Sequence, residues 1–214
     1  MEQEQRLARI ATGLALALAL SSPVLADPFE DALAAYREGR TGHAAALFHQ
    51  LALTGDGQAQ YNLAVLFRVG QGLPRSDREA LYWAWRARLS GVAQADRLQG
   101  LVSADLPAAE RGPLVARLME DLRPGLAAGD PAALLGAAAL QGELADPPNL
   151  PEVWFWQALA ATLGVPGADV LRDATAAQMP DADRAGLQDG FLLRFGDWCK
   201  TAPTPPESCA FARS

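Results

Sequence analysis

Residues 55–70 read Gly55-Asp56-Gly57-Gln58-Ala59-Gln60-Tyr61-Asn62-Leu63-Ala64-Val65-Leu66-Phe67-Arg68-Val69-Gly70, and their periodicity decides the fold. Ala59, Leu63, Leu66, Phe67 and Gly70 fall at i, i+4, i+7, i+8 and i+11, which lays one apolar stripe along an α-helix. Asp56 stands where an N-cap acceptor belongs, and Gly70 can close the helix in a left-handed conformation. Past the turn, Ser76 followed by Glu79 forms a capping box for a second helix. Ala80, Trp83, Ala84 and Ala87 give that helix its own buried face, with small residues that let its partner approach closely. The predicted unit is a helix–turn–helix.

The unit recurs. Gly55 precedes Gly91, Ala44 precedes Ala80 and Leu47 precedes Trp83, each by 36 residues. A longer echo runs beside this one, in which Tyr82-Trp83-Ala84-Trp85-Arg86-Ala87 reappears as Val153-Trp154-Phe155-Trp156-Gln157-Ala158. Gly91-Val92 is answered by Gly164-Val165, Ala95-Asp96 by Ala168-Asp169, and Gly55-Asp56 by Gly129-Asp130. Leu106-Pro107-Ala108-Ala109-Glu110-Arg111 likewise returns as Met179-Pro180-Asp181-Ala182-Asp183-Arg184. Repeats of this size are the mark of a stacked architecture. The chain divides into a partial unit (27–54), a first module (55–128), a second module (129–198) and a tail (199–214). Asp27-Pro28 and Asp130-Pro131 each place an acceptor at the cap and Pro in the first turn, and Gly39, Gly91 and Gly129 are further helix stops.

Composition agrees. Of 214 residues, 44 are Ala and 33 Leu, against nine Val, seven Thr and one Ile. Strands draw on β-branched residues and helices on Ala and Leu, so the expected class is all-α. The net charge of −7 argues against a nucleic-acid binder, which needs a basic face to neutralise phosphate. Residues 1–26 read as a secretory signal. Arg6 and Arg9 lead into the apolar run Ile10–Leu20, and Val24-Leu25-Ala26 offers small residues for cleavage between Ala26 and Asp27. That run is too short to span a membrane, so no stable membrane insertion is expected once it is removed. A periplasmic or secreted location follows. Cys199 and Cys209, separated by the Pro-rich run 200–208, suit a structural disulfide in an oxidising compartment.

Residues 55–91 closely resemble a Sel-one-like repeat, a relative of the tetratricopeptide repeat. The resemblance rests on Ala59-Gln60 then Leu63 on the first helix, Gly70-Gln71-Gly72 in the turn, and Ala80 followed by Trp83 on the second. Residues 29–54 match as a partial unit and 92–198 as degenerate helix pairs. The resemblance implies a right-handed α/α-solenoid of helix–turn–helix repeats that binds protein or peptide, as adaptors and periplasmic regulators of sensor kinases do. Secreted relatives with a disulfide in every repeat differ from this chain, whose two cysteines both lie in its tail.

Catalytic signals are sparse. His43 and His49, six apart, point to opposite sides of one helix, and no metal site or cofactor is expected. No Gly-x-Ser-x-Gly elbow occurs, and Gly70-Gln71-Gly72 lacks the third Gly of a nucleotide loop. Adjacent carboxylates such as Glu30-Asp31 and Glu120-Asp121 do not converge on one substrate. Solenoids usually bind on the concave surface of their first helices, which here would present Tyr61, Asn62, Val65 and Arg68. Trp85 and Trp156 lie two residues beyond Trp83 and Trp154, about 200° round the helix. Either they anchor a partner, or helices around Leu114–Leu126 and Leu187–Phe195 cover them. The expected function is non-catalytic protein or peptide binding. The alternatives are regulation of a membrane sensor, or a cell-wall enzyme or its accessory subunit.

Overall fold

The computed structural model describes residues 27–213, so residues 1–26, expected to be a secretory signal cleaved after Ala26, lie outside the described residues. Within them the protein is all-α, with no strand. Its α-helices are α1 (Pro28–Arg37), α2 (Thr41–Leu53), α3 (Gly57–Val69), α4 (Asp77–Leu89), α5 (Gln94–Asp105), α6 (Ala108–Ala128), α7 (Pro131–Ala139), α8 (Leu150–Thr162), α9 (Ala168–Ala176), α10 (Asp181–Ala185) and α11 (Leu187–Thr201). A π-turn (Leu140–Leu144) extends α7, and a 3-10 segment (Glu207–Arg213) ends the described chain. No helix among the described residues is long and apolar enough to cross a membrane.

The caps fall where the sequence puts them. Asp27, Asp56, Ser76 and Asp130 each accept a hydrogen bond from a backbone N–H in the first turn of the helix they precede. Gly39, Gly70, Gly91 and Gly129 all have φ between 71° and 82°. At Gly72 the need is also steric, because a Cβ there would collide with the carbonyl of Thr41 at the start of α2. The Gly-x-Gly turn is therefore a packing device between consecutive helix pairs.

Helices pack mainly on their neighbours in the chain. One apolar cluster runs through α1–α6 and the π-turn, and a second through α6–α9, α11 and the tail. Met119 and Leu122 of α6 touch both, so the two clusters meet along that helix. Gln60, almost wholly buried, donates to Ala52 O at 3.1 Å and accepts from Ser90 Oγ at 3.0 Å, joining the ends of α2 and α4 through α3. At the far end the Trp198 indole N–H donates to Leu126 O at 2.8 Å, tying α11 to the end of α6. The sulfurs of Cys199 and Cys209 are bonded at 2.00 Å, closing the Pro-rich loop onto α11.

The series α3–α4–α5–α6 is matched in order by α7–α8–α9–α10/α11, and the match extends to atoms. Asp56 accepts from Ala59 N and Asp130 from Ala133 N, both at 2.9 Å. Ser76 caps α4 through Glu79 N, as Asn149 caps α8 through Glu152 N. Val92 N reaches back to Ala87 O as Val165 N does to Ala160 O. Pro107 and Pro180 occupy the N-cap positions of α6 and α10.

These equivalences correct the register of the sequence echo. Ser76 to Asn149, Glu79 to Glu152 and Gly91 to Gly164 are each 73 residues apart, whereas the Trp-x-Trp match spans 71. Ring geometry agrees with 73. Tyr82 meets Trp83 at 4.9 Å and 76°, and Phe155 meets Trp156 at 4.9 Å and 75°. The counterpart of Trp83 is thus Trp156, that of Trp154 is Leu81, and that of Trp85 is Ala158. Two tryptophans two apart made a stronger identity signal than the caps, but helix ends fix the register.

Candidate binding cavity

Three of the four residues expected to line a groove on α3 make contacts within the protein. Tyr61 is half-buried against Ala87, Val92 and Ala95. Asn62 Nδ2 donates to Gln58 O on its own helix, and Val65 is half-buried. Arg68 donates to Asp77 Oδ1 at 2.7 Å and to the Asp105 carboxylate. The Arg68 guanidinium holds the Asp77 carboxyl below its ordinary value. The physical reason is the third helix of the module. In a bare helix-pair repeat this face of α3 stays open, whereas α5 lies over it here.

Of the two readings of Trp85, the structure shows the buried one. It is 0 % exposed, so it is no surface anchor, and the Arg88 guanidinium lies 4.6 Å from its ring. Trp156 is half-buried beside the second cluster, with its indole N–H buried and unpartnered. The covering helices are those expected. α6 supplies Leu114 and Leu118 to the first cluster, and α11 supplies Phe195 to the second.

An equivalent clamp holds each cover. Arg117 of α6 pairs with Glu79 at 2.7 Å and lies 3.4 Å from the Tyr82 ring centre. Arg194 of α11 pairs with Glu152 at 2.6 Å and lies 3.4 Å from that of Phe155. The Tyr82 hydroxyl donates to Asp121 at 2.7 Å, and burial, then that carboxylate, push its pKa above the ordinary value. It therefore stays a neutral donor near pH 7 and serves packing.

The modules differ beneath these clamps. Arg117 and Arg194 are 77 residues apart rather than 73, so one more helical turn of chain is spent where Gly186 breaks α10 from α11. At that corner a cavity of about 540 Å³ opens between α8, α9 and α11, of the size small-molecule and side-chain pockets take. Trp154, Ala158, Ala176, Leu187, Phe191 and Leu192 form its apolar walls, with Arg172, Asp173, Arg184 and Gln188 among the polar lining groups. Trp154 and Phe191 meet edge to face at 6.0 Å. Ala158, the counterpart of Trp85, leaves open here the direction an indole fills in the first module.

Elsewhere, carboxylates are held by arginines. In the polar hollow at the start of α4, Asp77 and Asp105 pair with Arg68, and Glu110 with Arg78. His43 is exposed, and His49 packs edge-on against Trp83 at 5.8 Å. No group of three or more His, Cys, Asp or Glu among the described residues is disposed to hold a metal ion. Compared with protein-family models, curated proteins and solved structures, the chain shows no significant match.

The sequence carried a signal for the cavity. Aligned from cap to cap, Trp85 stands opposite Ala158, whereas the pairing of Val115 with Leu192 follows only from the arginine clamps, four residues further out of register.

Proposed function

We propose that the chain is a non-catalytic interaction scaffold, a right-handed solenoid of Sel-one-like, tetratricopeptide-like repeats that binds a protein or peptide in a periplasmic or secreted space. The observation that carries this reading is the duplicated set of caps and arginine clamps around two unequal interiors, one filled and one open. The open interior combines aromatic and aliphatic walls with a few polar groups, the usual make-up of binding sites. The neighbour-on-neighbour helix packing favours a stacked repeat. The Cys199–Cys209 bond favours an oxidising compartment.

The test is cross-linking capture with the purified full chain from periplasmic extract, run beside a dye-release assay on cell-wall polymer. A partner enriched at stoichiometric yield with no dye release is the expected outcome. Dye release by the chain alone contradicts the non-catalytic reading. Absence of any enriched protein contradicts the scaffold.

A further inference from the structure

A second cavity, of about 320 Å³, lies between α7 with its π-turn, α8 and α9. Its lining differs from the matching positions of the first module. Ala84 and Val102, both fully buried, have Gln157 and Thr175 as their counterparts 73 residues on, and both of these line the cavity. An ion bridge is lost as well. In the first module Arg68, twelve residues past its cap Asp56, joins Asp77 to Asp105. Twelve residues past Asp130 stands Gly142, and Leu150 and Gln178 take the places of the two aspartates. All three line the cavity. A face that is apolar and ion-bridged in one module is open in the other, with an amide and a hydroxyl in its lining.

The amide has no partner. Gln157 is only 8 % exposed, and its Oε1 is buried without a hydrogen bond. A carboxamide carries an acceptor beside two donors, and leaving such a group unpaired in an interior is costly. Charge argues against an ion as the missing partner. Glu143 is the one ionisable side chain among the described lining residues, and Arg88 occupies both its oxygens at 2.6 and 3.0 Å. A charged ligand would surrender its hydration and meet no free counter-charge. No aromatic ring lines the cavity among the described residues, so a flat ligand finds no face to stack on. The apolar walls are aliphatic, chiefly Leu135, Val153 and Leu171. The lining suits an uncharged group that donates and accepts side by side, carried on an aliphatic stem.

We propose that the cavity between α7, α8 and α9 binds a primary carboxamide on a short aliphatic stem. Its N–H donates to Gln157 Oε1, its carbonyl accepts from the Gln157 NH2, and the Thr175 hydroxyl supplies a further contact. The stem lies against Leu135, Val153 and Leu171. A glutamine side chain of a polypeptide and a free aliphatic amide share this chemistry. The site has no lining residue in common with the corner cavity between α8, α9 and α11, and it does not depend on the scaffold reading.

The test follows the methyl resonances of Val153 and Leu171 by NMR, in the full chain with its disulfide intact, as butyramide is added. Saturable shifts are expected. Butyrate, which keeps the shape but carries a charge and no donor, should bind at least tenfold more weakly. Butyramide should likewise bind at least tenfold more weakly to Gln157→Met, which keeps the length of the side chain without its amide. Absence of saturation up to about 100 mM butyramide overturns the proposal and leaves the cavity to water. Equal binding of butyrate, or binding indifferent to Gln157→Met, overturns it too. Should Gln157→Met fail to fold by circular dichroism, Thr175→Val, which restores the residue of the first module, decides in its place. An acetylated pentapeptide with a central Gln and an N-methylamide end separates the two sources. Tighter binding than butyramide, lost when that Gln becomes Glu, assigns a polypeptide ligand; equal or weaker binding assigns a free amide.

Discussion

The first module closes over Trp85, and the second stops short at Ala158. Both use the same Asp caps, the same left-handed Gly stops and the same arginine laid across an aromatic ring onto a glutamate. What differs is the large side chain in the middle. Backbone closure and interior filling are thus separable in this fold. Caps and clamps satisfy helix ends and hold the cover over either interior, although the second cover helix is broken at Gly186 and takes an extra turn to reach its clamp. The emptied copy is also the one stapled at its end by Trp198 and the Cys199–Cys209 bond.

Removing the filled centre should have the largest effect. Trp85→Ala leaves a hole in a fully buried cluster and should cost about 3–5 kcal/mol in urea denaturation. Trp156→Ala, at a ring less completely buried, should cost less, since the loss scales with buried area. Equal costs would break the 73-residue register, because a 71-residue match makes these two tryptophans counterparts. Next comes the staple. Cys199→Ser with Cys209→Ser should lower stability by about 2–3 kcal/mol, the amount chain entropy assigns to so short a loop, and reductant should reproduce the loss in wild type.

The clamps sharpen the comparison from the side of likeness. Arg117→Ala and Arg194→Ala should each cost on the order of 1 kcal/mol, because both pairs are partly exposed and each adds a ring contact. A difference between them beyond about 1 kcal/mol would show that the clamps are not equivalent.

The smallest expected effect belongs to Arg68, which has no second-module counterpart in its partners. Asp77 has a folded-state pKa below its unfolded value because Arg68 donates to it. Its contribution is therefore present above the unfolded value of about 3.9 and is lost as pH falls through the depressed folded value. Arg68→Ala should flatten that acid-side slope and shift stability at pH 7 by under about 1 kcal/mol, since the pair is partly exposed. Urea midpoints collected from pH 7 down to pH 2 would show it.

Helix positions were legible where capping chemistry is local. Asp56, Ser76, Asp130 and the glycines announce their roles within four residues and act as caps and stops, although Glu79 turns to Arg117 instead of completing a box with Ser76. The Cys199–Cys209 bond was legible for the same reason, since proximity in the chain decides it. The α3 surface was not. Whether Tyr61 and Arg68 face a partner or α5 depends on a third helix whose docking leaves no local mark in residues 55–70. The cavity was half legible. Trp85 and Ala158 become counterparts once caps rather than tryptophans set the alignment, but the extra turn at Gly186 that opens the corner shows only in the folded chain.

The most direct test puts the first module's residue into the second. If the modules are copies in the 73-residue register, an indole at position 158 enters space already shaped for one, and Ala158→Trp should unfold in urea at or above the wild-type midpoint. A loss of more than about 2 kcal/mol, the cost of forcing a large side chain into a filled interior, would contradict the equivalence of Trp85 and Ala158.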